Sequence, residues 1–209
     1  GHETYLTDNL ITHVSSTSAS DTHTLRLESH TISGTGSSSQ FTFVVQTVTL
    51  NGQTPVELPT PVARTSHAYN VGTQDLVGEV YFYEDTSVSG GAPDDLTKAH
   101  LHIPAGYNQS FKAATTFDSE TYAFVTQGFG GVGNKQTANV EYELEVKAPG
   151  GVFVSGAAIM AGSSSGNFNV NLDPCAIIPA NSDVRITCLG DNAGAEAFAN
   201  FNLYMAKVV

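Results

Sequence analysis

The sequence is poor in several residue types, and each shortage narrows the range of functions. It has no tryptophan, two cysteines, and eight lysines and arginines against twenty aspartates and glutamates, which gives a net charge of −12. A nucleic-acid-binding surface needs clustered lysines and arginines, and here the few basic residues are scattered singly. Two cysteines are also too few for a disulfide scaffold. We therefore expect no nucleic-acid partner and a fold that depends on an apolar core.

Long apolar runs are missing as well. No stretch approaches the roughly eighteen consecutive apolar residues that a membrane-spanning helix requires, so we expect no membrane partner. Hydrophobic residues nevertheless make up 40% of the chain and charged residues only 13%, a balance typical of globular proteins. The length of 209 residues fits one large β-domain or two small ones.

Signatures of catalysis and of metal binding are absent too. The serines lie outside any nucleophile elbow, the glycine-rich run at 128–134 ends without the Lys-Ser/Thr pair of a phosphate loop, and no CxxC or HExxH motif occurs. His100 and His102 share one strand face at a spacing usable for zinc, but a third close ligand is lacking, so we interpret both as exposed strand histidines. The sequence predicts a protein that is not an enzyme and has no metal or other cofactor. Cys175 and Cys188 either pair or remain thiols, and two buried thiols are the favoured interpretation.

What the chain has instead is strand after strand. Apolar and polar residues alternate, β-branched residues are frequent, and Gly, Pro, Asn and Asp mark the turns. Short strands without crossover helices predict an all-β fold with antiparallel sheets, arranged as a β-sandwich or a jelly roll. The predicted strands lie within residues 21–33, 39–58, 77–88, 96–106, 110–117, 121–129, 138–146, 151–160, 166–172, 182–189 and 196–209.

Local patterns predict some of the pairing and of the core. Asn51-Gly52 is the strongest hairpin signal in the chain and predicts that residues 39–58 form two strands around a turn. In the last segment Phe201, Leu203 and Met205 alternate with polar residues, a pattern typical of a half-buried strand.

The Ser-Gly-Gly-Ala-Pro stretch at 89–93 is the candidate domain boundary. It divides an N-terminal β-region, residues 1–92, from a C-terminal β-sandwich, residues 93–209. The two parts are either two β-subdomains or two halves of one sandwich. Residues 1–14 contain an apolar segment that has no obvious hairpin partner, and we interpret it as an arm that contacts a partner.

Three glutamates, Glu141, Glu143 and Glu145, alternate with apolar residues in the segment "NVEYELEVKAPGGVF". In an extended strand their carboxylates point to one side, which leaves an active site, a cation site or the wet side of a sheet as interpretations. Glycoside hydrolysis needs two carboxyls across a cleft in different environments, not three on one strand. The wet side of a sheet is therefore favoured, and the Pro149-Gly150 turn predicts a hairpin with the following strand.

Several sequence blocks occur in a characteristic order over most of residues 40–206. They are "VTLNGQTPVELPTPVARTSHAYNVG" (48–72), "GEVYFYED" (78–85), "IPAGYNQS" (103–110), "YAFVTQ" (122–127), "VEYELEVKAPGGVF" (140–153), "IPANSDVRI" (178–186) and "AFANFNLYMA" (197–206). Their order resembles a family of β-rich structural proteins of tailed bacteriophages, common in marine phages. The resemblance implies a non-enzymatic virion protein, assembled in the host cytoplasm, that decorates or cements the head by binding the major capsid protein lattice. A neck, tail or fibre protein is the alternative.

The same resemblance implies a homo-oligomer, and a trimer is the first expectation by analogy with decoration proteins. The expected contacts with other virion proteins are made by the N-terminal arm and by aromatic residues in loops. A glycan-binding receptor module would instead use exposed aromatics such as Tyr69 to stack on sugars. A cation-dependent adhesin would use Asp94 and Asp95 or the three glutamates. The candidate contact residues are Tyr5, Leu6, Leu10 and Ile11 in the arm, and Tyr107 and Phe129 in loops.

Overall fold

The structure, a computed structural model, describes residues 4–133, 139–162, 167–191 and 196–207. It confirms the all-β prediction, because regular structure other than strands is confined to two 3-10 turns at Gly36–Ser38 and Leu96–Lys98 in the described part of the chain. The strands are β1 (Ile11–Ser16), β2 (Thr24–Ser33), β3 (Gln40–Thr49), β4 (Val56–Val62), β5 (Arg64–Asn70), β6 (Val80–Glu84), β7 (Val88–Ser89), β8 (Ala92–Pro93), β9 (Ala99–Ile103), β10 (Ala114–Phe117), β11 (Thr121–Gly133), β12 (Asn139–Lys147), β13 (Val154–Gly162), β14 (Asn167–Ile178), β15 (Ser182–Gly190) and β16 (Glu196–Lys207).

The chain divides into two compact units, residues 1–116 (unit 1) and 117–209 (unit 2). The stretch at 89–93, where the sequence placed its boundary, lies inside unit 1 instead. Ser89 pairs with Ala92 across a tight turn, and Ser15 Oγ donates a hydrogen bond of 2.8 Å to the carbonyl of Gly91. A Cβ on Gly91 would lie 1.8 Å from the Ser16 carbonyl oxygen. Glycine is therefore needed here for close packing on β1, not for a flexible linker.

Unit 1 is a sandwich-like pair of antiparallel sheets. One sheet has the strand order β4, β1, β6, β9 and the other the order β3, β2, β5. Apolar residues of both sheets form one buried cluster, which includes Val14 of β1, Leu27 of β2 and Phe82 of β6. β2 thus buries alternate side chains from Leu25 to Ser29, as the period of two predicts. The jelly-roll detail of the fold stays a prediction.

The Asn51-Gly52 turn forms, but the hairpin predicted from it does not. Thr54 donates its backbone N–H to the Asn51 carbonyl at 3.1 Å, and Gly52 has φ of +57°. The strands on either side belong to different sheets, since β3 pairs with β2 and β4 pairs with β1. The turn therefore carries the chain from one layer of the sandwich to the other.

Unit 2 also contains two antiparallel arrays with apolar residues between them. In one, β12 lies between β15 and β13, and in the other β11 lies between β14 and β16. Ala123 and Val125 of β11, Leu144 of β12 and Ile178 of β14 belong to its larger buried cluster. The predicted hairpin after the glutamates is confirmed, because Val146 pairs with Val154 across the Pro-Gly turn. Among the described residues, no helix is both long enough and apolar enough to cross a membrane.

Candidate partner-binding surfaces

Residues 4–14 of the predicted arm are packed into unit 1 and do not project from it. β1 lies between β4 and β6 and is paired with both. Leu6 and Ile11, two of the predicted contact residues, are buried in the core. Leu10 is 46% exposed and is the one of the four contact residues predicted in the arm that presents a large apolar surface. The sequence could not show this pairing, because β4 and β6 lie about 45 and 70 residues further along the chain.

Polar contacts fix the segment before β1 as well. The Arg64 guanidinium lies over the Tyr5 ring at 5.0 Å and donates a hydrogen bond of 2.7 Å from Nη1 to the carbonyl of Leu6. The Asn9 side chain donates to the carbonyl of Ile32 at 3.0 Å and accepts from its N–H at 2.8 Å, so the amide acts as a short piece of strand edge. Tyr5 is consequently held against the body of unit 1.

Of the two aromatic residues predicted in loops, Tyr107 lies in one and Phe129 does not. Tyr107 does lie in a turn, is 53% exposed and makes an edge-on contact with Phe111 at 5.4 Å between ring centroids. Phe129 does not lie in a loop: it lies within β11, half-buried, directly opposite Asn169 and Asn200. Its glycine-rich surroundings suggested a turn, but those glycines continue the strand.

A shallow depression on unit 1 combines aromatic and amide side chains. It is lined by His67, Tyr69, Asn70, Asn108 and Gln109. The rings of His67 and Tyr69 are 5.3 Å apart. Asn108 is fixed, since its amide donates to the Asp75 carboxylate at 2.7 Å and its side-chain oxygen accepts from the Leu76 N–H at 3.1 Å. Flat rings beside fixed amides can stack on and hydrogen-bond to a sugar.

The histidine pair on β9 is used within the fold. His100 is 8% exposed, and its Nε2 is 2.8 Å from a carboxylate oxygen of Glu84. His102 stacks on Tyr81 with the ring centroids 4.7 Å apart. Over the described ranges, no group of three or more His, Cys, Asp and Glu side chains is arranged to hold a metal ion. The expectation of two exposed histidines is therefore wrong for His100.

The glutamate row on β12 is half-exposed, and one member has a defined partner. Arg185 donates from Nε to Glu145 Oε2 at 2.7 Å, and Thr187 donates to the same oxygen at 3.2 Å. The hydrogen bond from Arg185 lowers the pKa of Glu145, against the opposing effect of burial. Arg185 in turn lies 4.0 Å above the Phe153 ring. The row is thus a polar sheet surface with one ion pair.

The outer face of the sheet formed by β14, β11 and β16 carries apolar side chains that the sequence did not single out. Phe124 of β11 lies directly opposite Ile177 of β14 and Tyr204 of β16, so the three side chains share a face. Ile177 is 61% and Tyr204 69% exposed. Tyr122, two residues before Phe124, projects from the same face and is 40% exposed. We name these residues, Tyr122, Phe124, Ile177 and Tyr204, the apolar row.

Beside the apolar row lies a set of amides. An irregularity between Val125 and Gln127 shifts the alternation of β11, so that Gln127 also faces outward. Gln127 donates to Asn169 at 2.8 Å and to Asn171 at 3.2 Å, and it accepts from Asn202 at 2.6 Å. We name these residues and Asn200 the amide row. The sequence shows the asparagines but not that they lie side by side, because only the register of three strands distant in sequence brings them together.

The inner face of β16 departs from the predicted pattern. Phe201 packs against the core of unit 2, but Leu203 is 37% and Met205 72% exposed. The alternation identified the correct face and overestimated its burial. Both cysteines are free thiols, as expected, but the expectation that they are buried is wrong, since Cys188 is exposed and Cys175 half-buried.

Comparison with protein-family models, with curated proteins and with solved structures finds no match to this chain.

Proposed function

We propose that the chain is a non-enzymatic structural protein of a tailed-bacteriophage virion, which binds the major capsid protein lattice of the head and stabilises it. The ordered sequence blocks, with their resemblance to phage structural proteins, support the class of protein. The apolar row supports the mode of action and is the observation on which the proposal depends. Ile177 and Tyr204 expose most of their surface on the same face of one sheet.

Exposed apolar side chains that are grouped on one face mark a surface for a protein partner, whereas single exposed ones are common and need no explanation. The amide row supplies hydrogen-bonding groups at the rim of the same face. A shell protein that buries this face gains interface area only in the assembled state. Binding to the assembled shell alone shifts the equilibrium away from disassembly by mass action.

The test is binding to purified heads by variants of the apolar row. The double variant I177S/Y122S removes apolar surface from β14 and β11 and leaves β16 unchanged. The matched control is L96S/V77S, because Leu96 and Val77 are 61% and 63% exposed but belong to unit 1. We expect co-sedimentation with heads to be lost for I177S/Y122S and retained for L96S/V77S. Equal binding by both variants would overturn the proposed surface.

Electron microscopy of decorated particles tests the location. Many copies spread over the head agree with decoration, and a few copies at one vertex or along the tail contradict it. Stabilisation is measured by heating heads with and without the protein and following genome release. A head that releases its genome at the same temperature in both cases contradicts the cement role.

A glycan-binding receptor module is the second candidate, and the depression on unit 1 favours it. Tyr69 and His67 supply rings there, and Asn108 supplies a fixed amide. Binding of the purified protein on a glycan array, lost in Tyr69→Ala and kept in I177S/Y122S, would support this function. An array with no bound sugar, together with head binding, would leave decoration as the function.

A further inference from the structure

Strand β16 forms an open edge of its sheet. It pairs with β11 on one side over its whole length, and among the described residues no strand pairs with its other side. It runs from Glu196 to Lys207, its charged residues lie only at these two ends, and it contains no proline. A long, uncharged edge strand presents a row of backbone N–H and C=O groups that can pair with another chain.

Two other edge strands, β14 and β4, carry features that oppose such pairing. β14, at the opposite edge of the same sheet, contains Asp173 and Pro174, and its register with β11 is interrupted there. β4, an edge of the first sheet of unit 1, contains Pro59 and Pro61. Proline has no N–H to donate and a charge opposes burial, so both edges are protected. The edge of β16 lacks these devices.

We infer that β16 pairs in an antiparallel ladder with β16 of a second copy of this chain, about a two-fold axis at Phe201. The middle of the strand lies between Phe201 and Asn202, so an axis at either of these residues gives the longest ladder in which each face meets its own kind. Such an axis relates identical surfaces and closes with two copies. The sheet would then continue through the dimer as β14, β11, β16 and their three symmetry mates.

The side chains fit this register on both faces. On the outer face Phe198 would lie opposite Tyr204 of the second copy, and Asn200 opposite Asn202. These are an aromatic pair and an amide pair, two combinations that stabilise neighbouring strands. The amide row would extend from one copy into the other.

On the inner face the register pairs small residues with large ones. Ala199 would lie opposite Leu203 of the second copy, and Ala197 opposite Met205. This pairing covers Leu203 and Met205, two large core-face residues of β16 that the single chain leaves exposed. Moving the axis by one residue, to Asn202, would instead place Asn200 opposite Tyr204 and Phe198 opposite Ala206. The axis at Phe201 is therefore the better match.

The inference concerns a contact between copies of this chain and does not depend on the proposed function. Its test needs no phage particle, so its failure and that of the head-binding proposal are distinguishable. The oligomer expected from the resemblance was a trimer, which an isologous β16 contact cannot close. The mass in solution therefore separates the two.

The experiment compares charge variants of two exposed residues, Asn200 and Asn202, by sedimentation equilibrium. In N200K/N202K each new lysine lies opposite a lysine of the second copy, and we expect the dimer dissociation constant to rise by about tenfold or more. In N200K/N202E each lysine lies opposite a glutamate, and we expect dimer affinity to return. The control N169K/N171K adds the same charge on β14 and should leave the dimer intact.

The outcomes are decisive for both contact and register. A monomeric or trimeric wild-type protein overturns the inference, as does a dimer that N200K/N202K leaves unchanged. With the axis at Asn202, N200K/N202E would place two glutamates opposite each other and would weaken the dimer further. Circular dichroism melting of each variant checks that the fold is retained, because a variant with an unchanged melting temperature reports on association alone.

Discussion

The two units of the chain differ in the burial of their apolar residues. In unit 1, buried residues from both sheets meet in one cluster, and several of them, such as Ile11, Val62 and Phe82, are 0% exposed. In unit 2, the fully buried set is smaller, and Leu189, Tyr204 and Met205 are each about 70% exposed. Unit 1 exposes large apolar side chains too, Phe111 and Leu96 among them, so the units differ in the size of the described buried set and in the apolar row that unit 2 carries on one sheet face. Such a grouped surface is suited to a protein partner.

The two units also differ in where their hydrogen-bonded polar residues lie. Unit 1 buries Asp21 and Arg64 with dedicated hydrogen-bond partners. Unit 2 also buries Ser182 and Asp183, but it places Gln127 and its asparagine neighbours on an exposed sheet face. Buried networks specify one structure, while exposed amides remain available for exchange with a partner. Unit 1 is therefore expected to respond strongly to substitution, and unit 2 weakly.

The largest expected difference separates Phe82 from Met205. Phe82→Ala removes a side chain that is 0% exposed, and we expect unfolding free energy to fall by about 3 to 5 kcal/mol. Met205→Ala removes a side chain that is 72% exposed, and we expect a change within about 0.5 kcal/mol when the protein is diluted to its monomer. Urea unfolding followed by circular dichroism measures both. Equal losses would mean that unit 2 is as closely packed as unit 1.

Much of the strand pattern could be predicted from the sequence, and the missing part has a physical cause. Period-two alternation identified most strands of both units and the apolar face of β12, since the burial of one sheet face determines which residues alternate, but it missed β1 and β5. The 148–151 turn predicted its hairpin because both strands are adjacent in sequence. The Asn51-Gly52 turn did not, because turn chemistry fixes the local backbone while the partner strand is chosen by the whole sandwich.

The candidate surfaces depended on longer-range information. Phe124, Ile177 and Tyr204 come together only through the register of β14, β11 and β16. A one-residue change of register reverses the faces, so alternation alone cannot identify this group. The prediction that the N-terminal residues contact a partner was wrong for the same reason. Leu6 and Ile11 were correctly identified as apolar, but their neighbours in space are distant in sequence.

A second substitution, at Asp21, tests the buried polar groups of unit 1. Its carboxylate accepts hydrogen bonds from Ser16 Oγ at 2.6 Å and from the backbone N–H groups of Val77 and Gly78 at 3.0 and 2.9 Å. Asn has the same shape but one acceptor fewer, and its NH₂ group would face a donor. We expect Asp21→Asn to lower unfolding free energy by about 2 to 3 kcal/mol, measured in urea at pH 7. A loss no larger than that of an exposed asparagine substitution would contradict this role.

The effect of Asp21 should depend on pH with a defined sign. Burial raises the pKa of its carboxyl, but the hydrogen bonds from Ser16, Val77 and Gly78 together bring the pKa below its ordinary value of 3.8. A pKa that is lower in the folded state contributes stability above the unfolded value, and this stability is lost as pH falls through the folded value. We therefore expect the difference between wild type and Asp21→Asn to be constant from pH 7 to about 5 and to shrink below about pH 4. A difference that grows on acidification would reverse the assignment.

The smallest expected effect concerns Glu145 of unit 2. Like Asp21 it bears a carboxylate, but in a more exposed position. Its side chain is 15% and that of Arg185 25% exposed, so water screens much of their attraction. In Glu145→Gln, Thr187 can still donate to the side-chain oxygen, and Arg185 keeps its position over Phe153. We expect unfolding free energy to fall by about 0.5 to 1 kcal/mol, less than for Asp21→Asn. Urea unfolding at low and high salt measures this loss, which should decrease as salt screens the ion pair. A loss as large as that of Asp21→Asn, and independent of salt, would show that unit 2 also depends on a buried charge and would remove the contrast between the units.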